Sequence, residues 1–206
     1  MFIDPAIDMK PAPLRYSPFK ALVVPRPIGW ISTISAAGDI NLAPFSFFNG
    51  VSDDPPCVMY CPNGTHRDGG PKDSLKNVQE TGEFVFNLCN WDLREKMNRT
   101  AEHFPRDFDE MAAAGLDAAP CEMVAPPRVA AAPAAFECRY IQTVDLPASR
   151  AGRVAHMVIG EVIGIHIDES VIVDGIVDIG LLRPVARLGY TDYAVVDEGF
   201  TMARPD

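Results

Sequence analysis

A short polar run, Pro71-Lys72-Asp73-Ser74, stands where the sequence predicts the start of a helix. The first amides of a helix lack intrahelical acceptors and carry partial positive charge, so they attract anions. Lys72 at the entrance and the Ser74 hydroxyl in the first turn would strengthen this attraction. The run can therefore hold a phosphate monoester, although the same residues also fit an ordinary capped surface helix.

An aromatic segment between Asn41 and Ser52 mixes phenylalanines with residues that interrupt a strand. It contains Pro44, Phe45, Ser46, Phe47, Phe48, Asn49 and Gly50. A flat ring system needs an apolar slot, a few polar edges and backbone amides that no strand partner has taken. The segment offers all three, although a buried crossover packed by aromatic side chains would look the same.

Hydroxyl side chains are concentrated on a third segment, Ile31-Ser32-Thr33-Ile34-Ser35. Such hydroxyls can bond a polyol or a phosphate, but in strands they often bond local backbone groups instead. A phosphate site, a polyol site and a slot for a broad ring together describe one ligand, flavin mononucleotide (FMN).

Most of the elements that are predicted to position these segments are β-strands. Residues 28–35 alternate and, with a return at 40–42, predict a hairpin. Further strands are predicted at residues 57–61, 83–89, 136–143, 153–168, 172–177 and 185–189. Residues 153–168 would extend roughly 50 Å at about 3.3 Å per residue, which is longer than a usual strand. We therefore expect this strand to bend, at Gly160 and Gly164.

Helices are predicted to be few and short. One follows the polar run, with Asp73 or Ser74 as its cap and Gly82 just past its end. A second starts at Asp92, and a third spans residues 109–114.

The many short strands favour a mainly β fold, a closed or partly closed barrel with peripheral helices. The 206 residues suit a single domain over residues 1–206. Residues 1–19, which are rich in proline, are predicted to form an extended arm.

The net charge of the chain indicates which classes of partner it is not expected to bind on electrostatic grounds: those that are themselves strongly negative. Eighteen basic residues against 28 acidic ones give a formal net charge of −10. Such a surface repels phosphate backbones and anionic lipid, so we expect neither nucleic acid nor a membrane as a partner. No uncharged run approaches the roughly 20 apolar residues of a membrane-spanning helix.

The cysteine content indicates the redox compartment. An odd number of cysteines, five, without a visible secretion signal predicts a reducing, cytoplasmic location. Cys57 and Cys61 are not followed by a second pair of ligands at zinc spacing, so we expect no metal site. Buried free thiols are the simpler interpretation.

Motifs of other enzyme classes are missing. The sequence has no G-x-G-x-x-G, G-x-x-x-x-G-K, G-x-S-x-G or H-E-x-x-H, and its four histidines are scattered. The sequence therefore gives no support for a dinucleotide-binding domain of the Rossmann type, nor for a serine or cysteine catalytic triad.

An ordered set of motifs resembles the flavin reductase-like family of FMN-binding split-barrel flavoproteins. The set runs along residues 15–205: Pro25-Arg26-Pro27-Ile28-Gly29-Trp30, residues 31–35, residues 41–52, Pro55-Pro56, Lys72-Asp73-Ser74, residues 82–88, Gly160-Glu161-Val162 and Arg187-Leu188-Gly189. The resemblance implies a six-stranded antiparallel Greek-key split barrel, a homodimer, and FMN near the subunit interface.

The resemblance also implies which residues bind the cofactor. The phosphate contacts of the family fall on Thr33, Lys72, Ser74 and Asn77. The contacts to the isoalloxazine ring fall on Pro44, Phe45, Ser46, Phe47 and Asn49.

The sequence departs from the family pattern in three places. Members that use NADH or NADPH carry Gly-Asp-His before the Gly-Glu-Val strand, whereas this chain has Val154-Ala155-His156. The family's Lys-Asp-Thr is Lys72-Asp73-Ser74, which keeps a hydroxyl. The family's Arg-Leu-Gly-Gly is Arg187-Leu188-Gly189-Tyr190 in this chain, with tyrosine at the last position.

The resemblance implies an FMN-dependent oxidoreductase that reduces flavin with NAD(P)H and passes electrons to an acceptor or a partner monooxygenase component. His156 would be the catalytic residue that orients the nicotinamide or stabilises the reduced flavin, unless it only bonds a neighbouring strand. Two alternatives stay open: a non-catalytic electron carrier of the flavoredoxin type, and a barrel without flavin.

Overall fold

The computed structural model describes residues 1–106, 108–148 and 153–205. The helices of this described chain are α1 (Phe19–Leu22), α2 (Asp73–Thr81), α3 (Arg94–Arg99), α4 (Glu110–Ala113) and α5 (Ile179–Leu182). Its strands are β1 (Arg26–Pro27), β2 (Gly29–Ile34), β3 (Ile40–Phe45), β4 (Phe48–Asp53), β5 (Pro56–Tyr60), β6 (Glu83–Leu88), β7 (Ala118–Ala119), β8 (Arg128–Val129), β9 (Ala134–Leu146), β10 (Ala155–Ile167), β11 (Ile172–Val173), β12 (Ile176–Val177), β13 (Val185–Arg187) and β14 (Tyr193–Val195).

An antiparallel sheet closes into the central barrel. Within the described residues its strands lie in the order β3-β2-β6-β9-β10-β5-β4. The two end strands, β3 and β4, are consecutive in the chain and are joined by Ser46 and Phe47 alone. Counting β3 and β4 as one bent strand gives the six strands that the family resemblance implied.

Strand β2 is buried on both of its faces, which explains why it contains no charged residue. Ile31 points into the barrel with Phe84 and Phe86. Trp30 packs on the other side, in a cluster that includes Met97 and Met111 near the helices outside the barrel. The predicted alternation thus separates two apolar cores, each removed from water.

The long strand bends where it was expected to bend. The pairing of β10 with β9 shifts register between Ile159 and Gly160 and again between Val162 and Gly164. A Cβ built on Gly160 would lie 2.3 Å from the Phe84 ring. Glycine is therefore required here for close packing as well as for the bend.

Two predicted elements differ from the structure. Residues 172–177 form two short strands, β11 and β12, because Asp174 and Gly175 take positive φ angles of 51° and 78° and reverse the chain. The second helix begins with a 3₁₀ turn, Trp91–Leu93, in which the Asn90 side chain accepts a bond from the Leu93 amide.

Other predicted bounds shift by a few residues. Strand β9 is longer than predicted, and β10 starts at Ala155. No helix in the described parts of the chain is both long and apolar enough to cross a membrane.

Candidate functional site

A cleft of about 120 Å³ opens beside the start of α2 and the end of β3. It is lined by residues 41, 43–45, 65–67, 72–74, 100–104 and 110. Four residues of the predicted site, Pro44, Phe45, Lys72 and Ser74, are thereby brought together. The polar run and the aromatic segment, about 30 residues apart in sequence, form adjacent walls of one cleft.

The start of α2 presents unused donors. Ser74 is 2% exposed, and its buried Oγ has no hydrogen-bond partner among the described residues. No acceptor for the amides of Asp73 and Ser74 is found in the described chain either. Burial lowers the pKa of Lys72 beside them. A buried hydroxyl without a partner is costly, so it indicates a ligand that accepts its hydrogen bond.

The capping residue of α2 differs from the predicted one. The N-cap is Lys72, in extended backbone conformation and without a side-chain cap bond. The Asp73 carboxylate does not cap the helix because it binds Arg106 and faces His66 at 3.4 Å. Gly82 ends the helix in the left-handed conformation with φ 78°, as predicted.

Arg106 holds the loop that leads into α2. Its guanidinium donates to Asp73 Oδ1, to the Gly69 carbonyl at 2.6 Å and to the Pro71 carbonyl at 3.0 Å. The charge-assisted bond to Asp73 is the stronger kind. Sequence reasoning missed Arg106, which stands in an irregular segment without periodicity.

The bend between β3 and β4 follows Pro44 and Phe45, which line the cleft. Phe45 is buried against Tyr60, with ring centroids 5.1 Å apart. The amides of Ser46 and Phe47 bond no acceptor in the described chain, whereas Asn49 and Gly50 of the same segment pair with β5. Ser46 and Phe47 themselves lie just outside the cleft lining, and Asn49 is exposed on β4.

Thr33 and Asn77 lie behind the cleft wall. Asn77 Nδ2 donates to Thr33 Oγ1 at 3.1 Å, and both side chains are buried. Thr33 Oγ1 also lies 3.5 Å from Asn41 Oδ1. These bonds fasten α2 to β2 and fix the direction of the helix start.

Glu110 is a buried carboxyl in the cleft wall that the sequence did not reveal. Its oxygens accept from Asn41 Nδ2 and from the Leu42 amide, each at 3.0 Å. Burial raises the pKa of Glu110 to about 7, with the Asp73 charge adding to the shift and these hydrogen bonds opposing it. Glu110 thus ties α4 to β3 beside the cleft.

His156 does not line the cleft. Its Nδ1 lies 2.8 Å from Asp145 Oδ1, and the two residues are paired in the β9–β10 register. A carboxylate from the neighbouring strand thus lies beside this histidine, while position 155 is alanine.

Comparison with known proteins agrees with this geometry. The family model described as "Flavin reductase like domain" matches residues 21–179. An uncharacterised protein of Deinococcus radiodurans is 41% identical over 186 residues, which cover 87% of this chain and 79% of that protein. The chain belongs to the flavin reductase-like family.

Solved structures of related proteins show the same fold. Nitrilotriacetate monooxygenase component B from Bacillus cereus superposes with a TM-score of 0.85 at 26% identity and covers 98% of both chains. The 2-nitrobenzoate 2-nitroreductase NbaA from Pseudomonas fluorescens gives 0.78 at 28% identity, over 91% of this chain and 88% of its own. The split-barrel prediction is confirmed.

The cleft of this flavin reductase-like chain fits a flavin that carries a phosphate. Lys72, the Ser74 hydroxyl and the α2 amides supply positive charge and donors in one place. Pro44 and Phe45 supply an apolar wall beside them. No carboxylate hydrogen-bonds Lys72 within the described residues, so its charge is available to a ligand.

Proposed function

We propose that the protein is an FMN-dependent oxidoreductase that takes hydride from NADH or NADPH and passes electrons to an acceptor. The observation that carries this proposal is the buried Ser74 Oγ without a partner, beside Lys72 and in the same cleft as Phe45. A phosphate monoester would satisfy this hydroxyl, and the neighbouring wall suits a ring.

Each part of the cleft has a role in binding. Lys72, Ser74 and the first α2 amides hold the phosphate. Pro44 and Phe45 pack on the ring, and the amides of Ser46 and Phe47 donate to its polar edge. Thr33, Asn77 and Asn49 are assigned to cofactor binding by the resemblance; in this chain, Thr33 and Asn77 act by holding α2.

The chemistry that FMN supplies when bound is two-electron transfer from a hydride donor to an acceptor. His156 is the catalytic candidate, and the Asp145 carboxylate favours the tautomer with a proton on Nδ1. His156 Nε2 is then left to accept a hydrogen bond from the nicotinamide amide.

Two relatives favour an enzyme with an acceptor. One is named as component B of a monooxygenase, and the other as a nitroreductase. The acceptor proposed here is accordingly a small oxidised molecule or an oxygenase component.

The protein is proposed to act as a homodimer in a reducing, cytoplasmic compartment. Apolar side chains such as Ile165 and Ile176 are 57% and 70% exposed in the single chain and suit a subunit contact. All five cysteines are free, and burial raises the pKa of Cys89 to about 12, as expected for unreactive thiols.

One observation favours a second function, that of an electron carrier. His156 lies outside the cleft lining, and Ala155 cannot contribute the family carboxylate. A carrier would accept electrons from a chemical reductant without saturable nicotinamide kinetics.

Anaerobic stopped-flow absorbance separates the two functions. The FMN-loaded protein is mixed with NADH or with NADPH, and the loss of oxidised-flavin absorbance is followed. Saturable reduction by one nicotinamide supports the oxidoreductase. Reduction by dithionite alone contradicts it and favours the carrier, and a protein that takes up no FMN contradicts both.

A further inference from the structure

Three potential metal ligands from three segments meet on the β9–β10 side of the sheet, outside the cleft lining. Cys121 lies between β7 and β8, Glu137 lies in β9, and His166 lies in β10. Their ligand atoms, a thiol sulfur, a carboxylate oxygen and an imidazole nitrogen, all lie within 4.8 Å of one another.

This donor set matches the preferences of zinc. Bonds of about 2.3 Å to sulfur and about 2.0 Å to nitrogen and oxygen in a tetrahedron place the donors roughly 3.3 to 3.6 Å apart. His166 Nε2 and Glu137 Oε1 lie 2.5 Å apart, so these two atoms must separate by about 0.8 Å to reach that spacing. The His166 side chain is 25% exposed, so water can complete the coordination.

The carboxylate is already oriented by the segment that carries the cysteine. Glu137 is 1% exposed and accepts from the amides of Glu122, Met123 and Val124 at 2.9, 2.6 and 3.2 Å. These amides directly follow Cys121, so the bonds that hold Glu137 also fix the position of the thiol. Outer bonds of this kind orient ligands in metal sites.

The imidazole presents the correct nitrogen. His166 Nε2 lies 2.5 Å from Glu137 Oε1. A cation placed between these two atoms replaces the shared proton, and His166 then keeps its proton on Nδ1. A Cβ at Gly164 would lie 3.4 Å from Glu137 Cδ, so glycine leaves room beside the carboxylate.

The local charge also suits a cation. The Glu137 carboxylate brings negative charge close to the Cys121 sulfur. A divalent ion would stabilise the thiolate, which is the ligand form.

We propose that Cys121 Sγ, Glu137 Oε1 and His166 Nε2 bind one divalent cation of the Zn²⁺ class, with water as the fourth ligand. Binding releases to solvent both the thiol proton and the proton shared by His166 and Glu137, and it involves no change of oxidation state. The ion fastens residues 120–124 to β9 and β10. The site is independent of the flavin cleft.

The test uses the full chain without an affinity tag, after removal of metal by a chelator. Zn²⁺ is titrated in competition with a chromogenic chelator, and Co²⁺ is added in a parallel experiment as a spectroscopic probe. We expect one Zn²⁺ per chain. With Co²⁺ we expect a sulfur-to-metal charge-transfer band and visible bands beyond the flavin absorption.

Variants identify the ligands. Cys121→Ser and His166→Gln should weaken Zn²⁺ binding by more than about a hundredfold, which exceeds the usual effect of losing an outer partner. Cys61→Ser, at another partly buried free cysteine, should bind as the wild type does. Equal affinity in Cys121→Ser, or no stoichiometric Zn²⁺, would overturn the proposal. If Cys121→Ser does not fold, the wild-type Co²⁺ spectrum decides, because a spectrum without a thiolate band also overturns it.

Discussion

His156 Nδ1 and Asp145 Oδ1 lie 2.8 Å apart across the β9–β10 pair, at directly opposed register positions. The His156 side chain is 21% exposed, whereas Asp145 is 84% exposed. The carboxylate is therefore positioned by strand register. The contact favours the tautomer with a proton on Nδ1, and no hydrogen bond to Nε2 is found among the described residues.

Replacing His156 by Ala should slow flavin reduction without loss of flavin. A lost hydrogen bond to a charged or polar partner corresponds to about 1.5–3 kcal/mol, or tenfold or more in kcat/KM for the nicotinamide. Asp145→Asn, which keeps the shape and removes the charge, should give a smaller decrease. Unchanged reduction rates in His156→Ala would assign His156 a purely structural role.

Lys72→Ala should weaken FMN binding roughly tenfold or more, since a charge-assisted contact of about 1.5 to 3 kcal/mol is removed. Titration calorimetry with FMN and with riboflavin, which has no phosphate, checks the cause. Riboflavin affinity should stay constant, and so should FMN affinity in Lys76→Ala, whose side chain is exposed on the same helix. A parallel decrease for both flavins would place the phosphate elsewhere.

Arg106→Met should loosen the loop before α2. The change removes the bonds to Asp73, Gly69 and Pro71, so we expect FMN affinity to fall roughly tenfold, which equals about 1.4 kcal/mol. Amide hydrogen exchange should become faster at Gly69, Gly70 and Lys72. Arg139→Met, at an exposed position on β9, serves as the control. Normal affinity together with normal exchange would show that Arg106 does not hold the loop.

Glu110 should make stability depend on pH. A carboxyl whose pKa is raised to about 7 in the folded state, from 4.5, binds its proton more tightly when folded. The stabilisation from this proton is complete below pH 4.5 and decreases between pH 4.5 and 7. Above pH 7 it is lost, a total decrease of up to about 3 kcal/mol in the free energy of unfolding. Glu110→Gln should therefore gain stability relative to the wild type across this range. Denaturant unfolding at several pH values measures the difference, and parallel curves for the two proteins would contradict the assignment.

Gly160→Ala should destabilise the barrel. The new Cβ would lie 2.3 Å from Phe84 Cε1 and 3.1 Å from the Arg139 carbonyl. Overpacking of this kind costs about 1–3 kcal/mol. Gly50→Ala, where the nearest atom is 4.0 Å away, should cause little change in thermal unfolding. Equal stability of the two variants would mean that the barrel yields at Phe84.

The fold was predictable because its strands carry local patterns. Alternation gave the β2–β3 hairpin, and the two glycines of the long strand marked its register shifts. The turn at Asp174 was missed because the six residues were interpreted as one strand, although Asp174-Gly175 between two Ile-Val pairs is a typical hairpin turn. A positive φ at aspartate is not encoded in hydrophobic periodicity.

The site was predictable only where its residues cluster in sequence. Lys72 and Ser74 stand at a recognisable helix start, and Phe45 stands in an unusual aromatic run. Arg106 stands in an irregular segment and Glu110 at the start of α4, and each acts at the cleft through contacts more than 30 residues apart in sequence. The Asp145 partner of His156 depends on strand register, which no local pattern gives.

A crystal structure of the protein grown with FMN tests the central claim most directly. The account predicts the phosphate within hydrogen-bond distance of Ser74 Oγ, Lys72 Nζ and the first amides of α2, with the ring against Pro44 and Phe45. A flavin bound elsewhere, or a cleft that stays free of it while Ser74 Oγ finds a protein partner, would contradict the account.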